Sequence, residues 1–262
     1  MQTLEMLRLT DDEMMAYIVN GYHLVEITDM PASFHEGVCA AIEALDGNPL
    51  DDLINVIPQL HEVYDHPKVA GALACILGDD FQFPGHIHWH CKQPHSGYMH
   101  WHQDGTNTRH VWKTVACLAM YYPHDVSADM GPTTVLPSTH FRNAPTDRMS
   151  TYYNIRGQVP LTVKAGTVAI THRDIWHGTT PNETDRPRHM IKRAVRRMSP
   201  PTAPNWTHDP ERAAELLGGS AKGALAANFV TARPLPVAQS DHYKERQLRR
   251  KMWDWYCGRV AE

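Results

Sequence analysis

The first eighty residues carry apolar positions at helical spacing, each run fenced by capping signals. Thr10-Asp11-Asp12-Glu13 is a capping box, in which the Thr hydroxyl takes one orphan amide of the first turn and the Glu reaches back for another. Gly21 stands where that helix would end, and 22–27 reads as a short strand. Ser33-Phe34-His35-Glu36 repeats the pattern and predicts a second helix towards Leu45. Pro67 followed by Val69, Leu73, Ile76 and Leu77 predicts another, closed by Gly78. From Phe81 the period changes to two. His86-Ile87-His88-Trp89-His90 alternates strictly, so three imidazoles fall on one strand face and Ile87 and Trp89 on the other. Strand-like runs follow at 114–122, 133–136, 158–163, 166–171 and 189–195, separated by turn residues. Many short strands with Gly/Pro turns predict a sandwich, barrel or jelly roll. Beyond Ser199 a proline-rich strip, SPPTAPNW, reads as extended, and two helices are predicted near 209–217 and 241–256. No internal repeat is visible. One β core dressed by helices is simpler than two domains: helical support over 1–80, a core over 81–198 and a C-terminal extension over 199–262.

Composition narrows the class. Of 262 residues, 42% are hydrophobic and 21% charged, which is globular usage. A net charge of −4 argues against a phosphate-seeking surface and so against nucleic acid as a partner. The cysteines, Cys39, Cys75, Cys91, Cys117 and Cys257, are odd in number, widely spaced and without a C-x-x-C. That argues against a Cys-rich zinc module and a disulfide framework. The N-terminus has no basic region and apolar core of signal type, and no apolar run reaches the roughly 18 residues of a membrane span. The expectation is a soluble, cytoplasmic protein of a reducing compartment with no membrane partner. Composition sets no oligomeric state.

The outlying count is histidine, at eighteen. The densest cluster is His100-Trp101-His102-Gln103-Asp104-Gly105. Residues two apart on a strand share a face, so His102 and Asp104 present an imidazole and a carboxylate to one point. A third ligand from elsewhere would complete a 2-His-1-carboxylate facial triad, which leaves open positions on Fe(II). His177 is the best downstream candidate, since it follows the apolar run 168–170 and precedes a turn. Eleven residues on, Arg188 opens a strand-like run, and its guanidinium suits a bidentate grip on the carboxylate of an anionic co-substrate. Lys192 and Arg196 share its face if the strand is regular, but the ordinary reading for them is a solvated strand or ion pairs with acidic helices.

Taken together, these pieces resemble the phytanoyl-CoA dioxygenase-like group of Fe(II)/2-oxoglutarate oxygenases. The matching segments are His102-Gln103-Asp104, then Gly131-Pro132-Thr133-Thr134-Val135-Leu136-Pro137-Ser138-Thr139-His140, which looks like the family's G-x-x-x-x-x-P-G-S-H turn. His177-Gly178, the run Asn182-Glu183-Thr184-Asp185-Arg186-Pro187-Arg188 and the opening LTDDEMMAYIVNGYHLV are also similar, so the resemblance spans residues 9 to 198. It implies a mainly β fold with flanking helices, a double-stranded β-helix or jelly roll. It implies that His102, Asp104 and His177 bind Fe(II), that Arg188 clamps the distal carboxylate of 2-oxoglutarate and that the Thr179 hydroxyl reaches the same carboxylate. O2 would be the other co-substrate. Because Asp104 is present, the resemblance implies hydroxylation, desaturation or a related oxidation, not chlorination. Ser138 departs from the family's Gly and puts that turn's backbone in question.

Other classes stay open at this stage. H-x-H-x-D also matches zinc hydrolases, with His100 as a further ligand, although Gly105 replaces the final His of their motif. A non-catalytic metal-binding barrel is the other alternative. His86, His88, His90 and His100 are expected to line the substrate pocket, which favours a polar small molecule over a long acyl chain. Secondary metabolism is a common setting for the family.

Overall fold

The computed structural model describes residues 6–105, 112–142, 151–219 and 226–260. Its strands are β1 (Tyr22–Glu26), β2 (Ile87–Lys92), β3 (Met99–His102), β4 (Ala116–Tyr122), β5 (Thr133–Leu136), β6 (Val159–Pro160), β7 (Thr167–His172), β8 (Trp176–Thr179) and β9 (Arg188–Arg196). They form a five-stranded sheet, β1-β7-β4-β9-β2, and a four-stranded sheet, β3-β8-β5-β6, and every pairing is antiparallel. This is the expected jelly-roll layout.

The large sheet is buried on both faces, so its central strands read as apolar runs. Along β4, Cys117, Ala119 and Tyr121 face a core shared with the helices. Leu118, Met120 and Tyr122 join Val135, Leu161 and Met190 in a second cluster between the sheets. The N-terminal helices α1 (Asp11–Asn20), α2 (Ala32–Glu43), α3 (Leu53–Val56), α4 (Gln59–Tyr64) and α5 (Pro67–Leu77) supply the outer layer. Thr10 caps α1 through the full capping box, and Gly21 closes it at φ 81°, a conformation that favours glycine. The segment 50–64 folds as a 3-10 turn and two short helices that the sequence pattern did not predict.

Two expectations need correction. The second helix starts at Ala32 with Pro31 as its cap, so Ser33 lies inside the first turn and makes no capping box. Pro31, preset at φ −67°, takes the extended cap geometry first. The run 158–163 pairs as a strand only over Val159–Pro160; the Leu161 amide still donates to the Thr133 carbonyl at 2.8 Å, and Val163 then leaves β5 for an isolated bridge with Val126.

The C-terminal part is tied to the N-terminal one. It contains α6 (Pro210–Gly218), α7 (Ala226–Thr231) and α8 (Gln239–Tyr256). The Asp11 carboxylate accepts from Trp206 Nε1 at 2.6 Å, His208 Nδ1 at 2.8 Å and the Asp209 amide at 2.7 Å. Trp206 packs on Trp253 of α8, centroid to centroid 5.2 Å. The proline-rich strip is thereby clamped between α1 and α8. Among the described residues no helix is long and apolar enough to cross a membrane.

Candidate metal and co-substrate site

His102 ends β3, and His177 lies directly opposite it on β8. Their ring centroids are 4.2 Å apart. Asp104 stands beyond the end of β3 in a bend, not on the strand as the two-residue period implied, and a register shift also breaks β3 between Met99 and His102. The carboxylate still arrives: Oδ1 is 3.5 Å from His102 Nε2 and Oδ2 is 3.8 Å from His177 Nε2. One ligand atom from each of the three residues lies within 4.8 Å of the others.

Backbone contacts fix the bend. Arg173 Nε donates to the Asp104 carbonyl at 3.2 Å, and the Gly105 amide donates to the Arg173 carbonyl at 3.1 Å. A side chain at Gly105 would collide with Asp174 Oδ1, so only glycine permits this approach. Gln103, between the two candidate ligands, points the other way and donates to the carbonyls of Arg142 at 3.1 Å and Asp174 at 2.5 Å. Nothing in the sequence pattern had singled it out.

The tautomers suit metal binding. Nδ1 of His102 is 2.9 Å from the His100 carbonyl, and Nδ1 of His177 is 3.1 Å from the Ile175 carbonyl. A carbonyl only accepts, so each Nδ1 carries the proton and each Nε2 keeps its lone pair towards Asp104. Burial, followed by the neighbouring His102, pushes His177 down to about 4, which keeps its ring neutral. Burial pushes the Asp104 carboxyl up, but His177, Lys192 and His102 together outweigh it and hold it at about 2.

A second trio, Cys39, Glu43 and His189, has similar spacing. Its chemistry differs. Trp89 Nε1, which can only donate, points at His189 Nδ1 at 3.1 Å. The proton of a neutral His189 ring therefore sits on Nε2, facing Glu43 at 3.5 Å, and no lone pair is offered there. Burial also pushes the Cys39 thiol up to about 11, away from the thiolate that binds metal.

A chamber of about 150 Å³ opens behind the His102–Asp104–His177 group, lined by His90, Thr133, Thr179, Arg188, Lys192 and the methionines Met99, Met120 and Met190. Arg188 is 2% exposed. Its Nη2 donates to the Gly131 carbonyl at 3.1 Å, while Nε and Nη1 have no hydrogen-bond partner among the described residues. A lone interior guanidinium costs several kcal/mol, so these donors call for an anion. The Thr179 hydroxyl accepts from the Met99 amide at 3.1 Å and keeps its own proton to donate into the chamber.

The expected pocket histidines separate. His90 lines the chamber, and burial, followed by Lys192, pushes it down to about 3. His88 and His86 continue its ladder along β2, with centroids 5.9 Å and 4.5 Å apart, outside the chamber lining. His100 is exposed, its ring edge-on to Tyr98, and lies outside the lining too. The ordinary reading of the basic strand holds for exposed Arg196. It fails for Lys192, which is 8% exposed and points inward.

Residues 47–190 match the family model described as phytanoyl-CoA dioxygenase. Among solved structures, HygX from Streptomyces hygroscopicus with iron bound is 16% identical, with a TM-score of 0.60 over 72% of this chain and 87% of that one. The non-haem α-ketoglutarate-dependent epimerase SnoN from nogalamycin biosynthesis is 18% identical, with a TM-score of 0.56 over 71% and 83%. The α-ketoglutarate-dependent carbocyclase SnoK of the same biosynthesis is 16% identical, with a TM-score of 0.58 over 72% and 84%. These likenesses are of fold. No curated protein sequence matches the chain.

Proposed function

The chain belongs to the phytanoyl-CoA dioxygenase family, and from that premise we propose that it is an Fe(II)- and 2-oxoglutarate-dependent oxygenase of a polar small molecule. It is an enzyme of the non-haem iron dioxygenase type, with Fe(II), 2-oxoglutarate and O2 as its cofactor and co-substrates. The observation that carries the site assignment is the pairing of two pre-oriented Nε2 lone pairs and a carboxylate with a buried guanidinium whose donors lack an anion. In this reading His102, Asp104 and His177 hold the iron. Arg188 and the Thr179 hydroxyl hold the distal carboxylate of 2-oxoglutarate.

When bound, iron and 2-oxoglutarate together supply the oxidising power drawn from O2. The chain's own residues bind, orient and exclude water. A chamber of about 150 Å³ beside the Arg188 guanidinium suits a small dicarboxylate. Buried Met120 and Met190 form its apolar wall, with Met99 on its solvent-exposed side. The substrate approaches from outside, where the His102 and Asp104 side chains remain 25% and 23% exposed. Tyr98, His100 and Tyr153 form an exposed group beside β3, with ring centroids 5.0 and 4.4 Å apart, and offer polar edges to a polar molecule. Their exposure supports a polar substrate better than an acyl chain. HygX has been solved with nickel, 2-oxoglutarate and hygromycin B bound, and SnoN with a nogalamycin compound, which supports a secondary metabolite as the class. The whole chain, 1–262, acts as one unit in this reading, since one core cluster draws on residues from Leu9 to Cys257.

The test is succinate formation from 2-oxoglutarate by anaerobically iron-loaded protein on admission of O2, with candidate polar metabolites screened by mass for gain of oxygen or loss of two hydrogens. Asp104→Ala is expected to abolish succinate release and to weaken iron retention. Unchanged succinate release in that variant would refute the site assignment.

A further inference from the structure

Lys192 lies on β9 four residues beyond Arg188, on the same inward face, opposite His88 of β2 and Met120 of β4. Its ammonium donates to Asp104 Oδ2 at 2.6 Å, and its side chain is 10% exposed. The proposed ligand carboxylate is thus already gripped by a cation on Oδ2, the oxygen 3.8 Å from His177 Nε2, while the free oxygen, Oδ1, lies nearer its own ring nitrogen, 3.5 Å from His102 Nε2.

The backbone of Asp104 is fixed by the Arg173 contacts described above, but nothing in that backbone fixes the rotation of the carboxylate. The terminal torsion of an aspartate is broad and roughly two-fold. Lys192 is the group that sets it. A carboxylate has lone pairs enough for two cations, one per oxygen. An ammonium held on Oδ2 lets Oδ1 bind a metal and resists rotation that would bring both oxygens to it. That distinction matters to this site, because a facial triad works through the positions it leaves open. A carboxylate binding through both oxygens would take one of those positions from 2-oxoglutarate or O2.

We propose that Lys192 is a positioning residue that keeps Asp104 a one-oxygen ligand and so preserves the co-substrate's place at the metal. The proposal rests on the triad assignment above. It also gives Lys192 a role different from that of Arg188: the guanidinium recognises the co-substrate directly, whereas the ammonium acts through Asp104.

The experiment compares wild type, Lys192→Met, Lys192→Arg and Asp104→Ala, each checked for an unchanged melting temperature. Metal affinity is measured by calorimetry with Co(II). 2-Oxoglutarate affinity is measured anaerobically from the visible charge-transfer band of the Fe(II)-loaded protein. Lys192→Met is expected to bind metal at least as tightly as wild type, because a nearby positive charge is gone. Its 2-oxoglutarate affinity is expected to fall roughly tenfold or more, taking the usual activity cost of losing a partner of a metal ligand as the scale. Lys192→Arg, which keeps a donor for Oδ2, is expected to recover most of that loss. Three results overturn the proposal: 2-oxoglutarate affinity in Lys192→Met within about twofold of wild type, metal and 2-oxoglutarate binding lost together with a lowered melting temperature, or no recovery with arginine. Failure of the triad assignment shows differently, as metal binding by Asp104→Ala equal to that of wild type.

Discussion

A guanidinium that is 2% exposed and satisfies only one of its nitrogens is the clearest single-residue statement the molecule makes. Burial already pulls Arg188 below its ordinary range, and the Tyr122 and Cys91 side chains nearby are neutral at physiological pH, so neither supplies the missing charge. A dicarboxylate does. Arg188→Ala is expected to weaken 2-oxoglutarate binding by about two to four orders of magnitude while leaving metal affinity intact, since removing one partner of a buried charge pair costs about 3–5 kcal/mol. Arg188→Lys is expected to recover part of the loss, because an ammonium cannot make two parallel bonds to one carboxylate. Calorimetry with metal and with 2-oxoglutarate separates the two effects, and equal 2-oxoglutarate affinity in Arg188→Ala would move the clamp elsewhere. Lys192, four residues on, shows what residue type alone does not convey: a lysine in a basic run is most often solvated, and only the inward face of β9 and the bend at Asp104 make it a partner of the site.

At the scale of elements, the turn between β5 and the following 3-10 helix explains a departure that the sequence alone left in question. Ser138 sits at φ 66°, the left-handed region where glycine is at ease, and it is fully buried. Its hydroxyl donates to the Val19 carbonyl at 2.7 Å and its amide to the Asn20 carbonyl at 3.2 Å, tying the turn to the end of α1. The hydroxyl bond offsets the backbone cost. Ser138→Gly is therefore expected to change stability by less than about 1 kcal/mol, losing one bond and relieving one strained residue. Ser138→Ala loses the bond, keeps the strain and is expected to cost about 1–3 kcal/mol. Urea unfolding of the two variants checks the order, and a less stable glycine variant would show that the φ carries no cost here. The change of period at Phe81, the capping of α1 and the strand carrying His102 were legible in the sequence, each from a local pattern of period or cap. The turn's existence came from the family resemblance, and His177, read as lying between a strand and a turn, sits within β8. The face of Asp104 was reached by the wrong route, since it comes from a bend held by Arg173 and not from strand alternation. His100 lies outside the co-substrate chamber, beside a register shift that no periodicity reveals. The short helices over 50–64 and the role of Gln103 depend on tertiary contacts and leave no such pattern.

The molecule as a whole places most of its surplus histidines where they are held neutral, and this sets its response to acid. His172 and His140 are 1% exposed and their rings lie 5.1 Å apart under the end of α1. The Asp174 amide donates to His172 Nδ1 at 3.1 Å, and His140 Nε2 is 3.0 Å from the Ile18 carbonyl. Burial pushes His172 from 6.5 down to about 4 and, with the neighbouring His172, pushes His140 well below its usual range. Neither is itself a proposed metal ligand, and both are packed against the end of α1, so their titration speaks to the fold. In the unfolded chain each takes up a proton near 6.5, whereas the folded ring resists until about pH 4 for His172. Above pH 6.5 neither state is protonated and stability does not depend on these rings. As pH falls from 6.5 to 4 the unfolded state binds more protons and stability declines, and below the folded value the loss from that ring stops growing. For His172 alone the interval corresponds to roughly 3 kcal/mol. A large part of the total stability of a typical domain, about 5–15 kcal/mol, is thus lost before most carboxylates titrate. Urea unfolding at pH 7.5, 6, 5 and 4.5 on metal-free protein is expected to show a steady fall below 6.5. His172→Asn, whose amide oxygen can accept from the Asp174 amide as Nδ1 does, is expected to have a shallower slope over the same interval whatever its stability at pH 7.5. A slope equal to that of wild type would mean that the buried ring is protonated at the same pH folded and unfolded, and would assign the acid response to other groups.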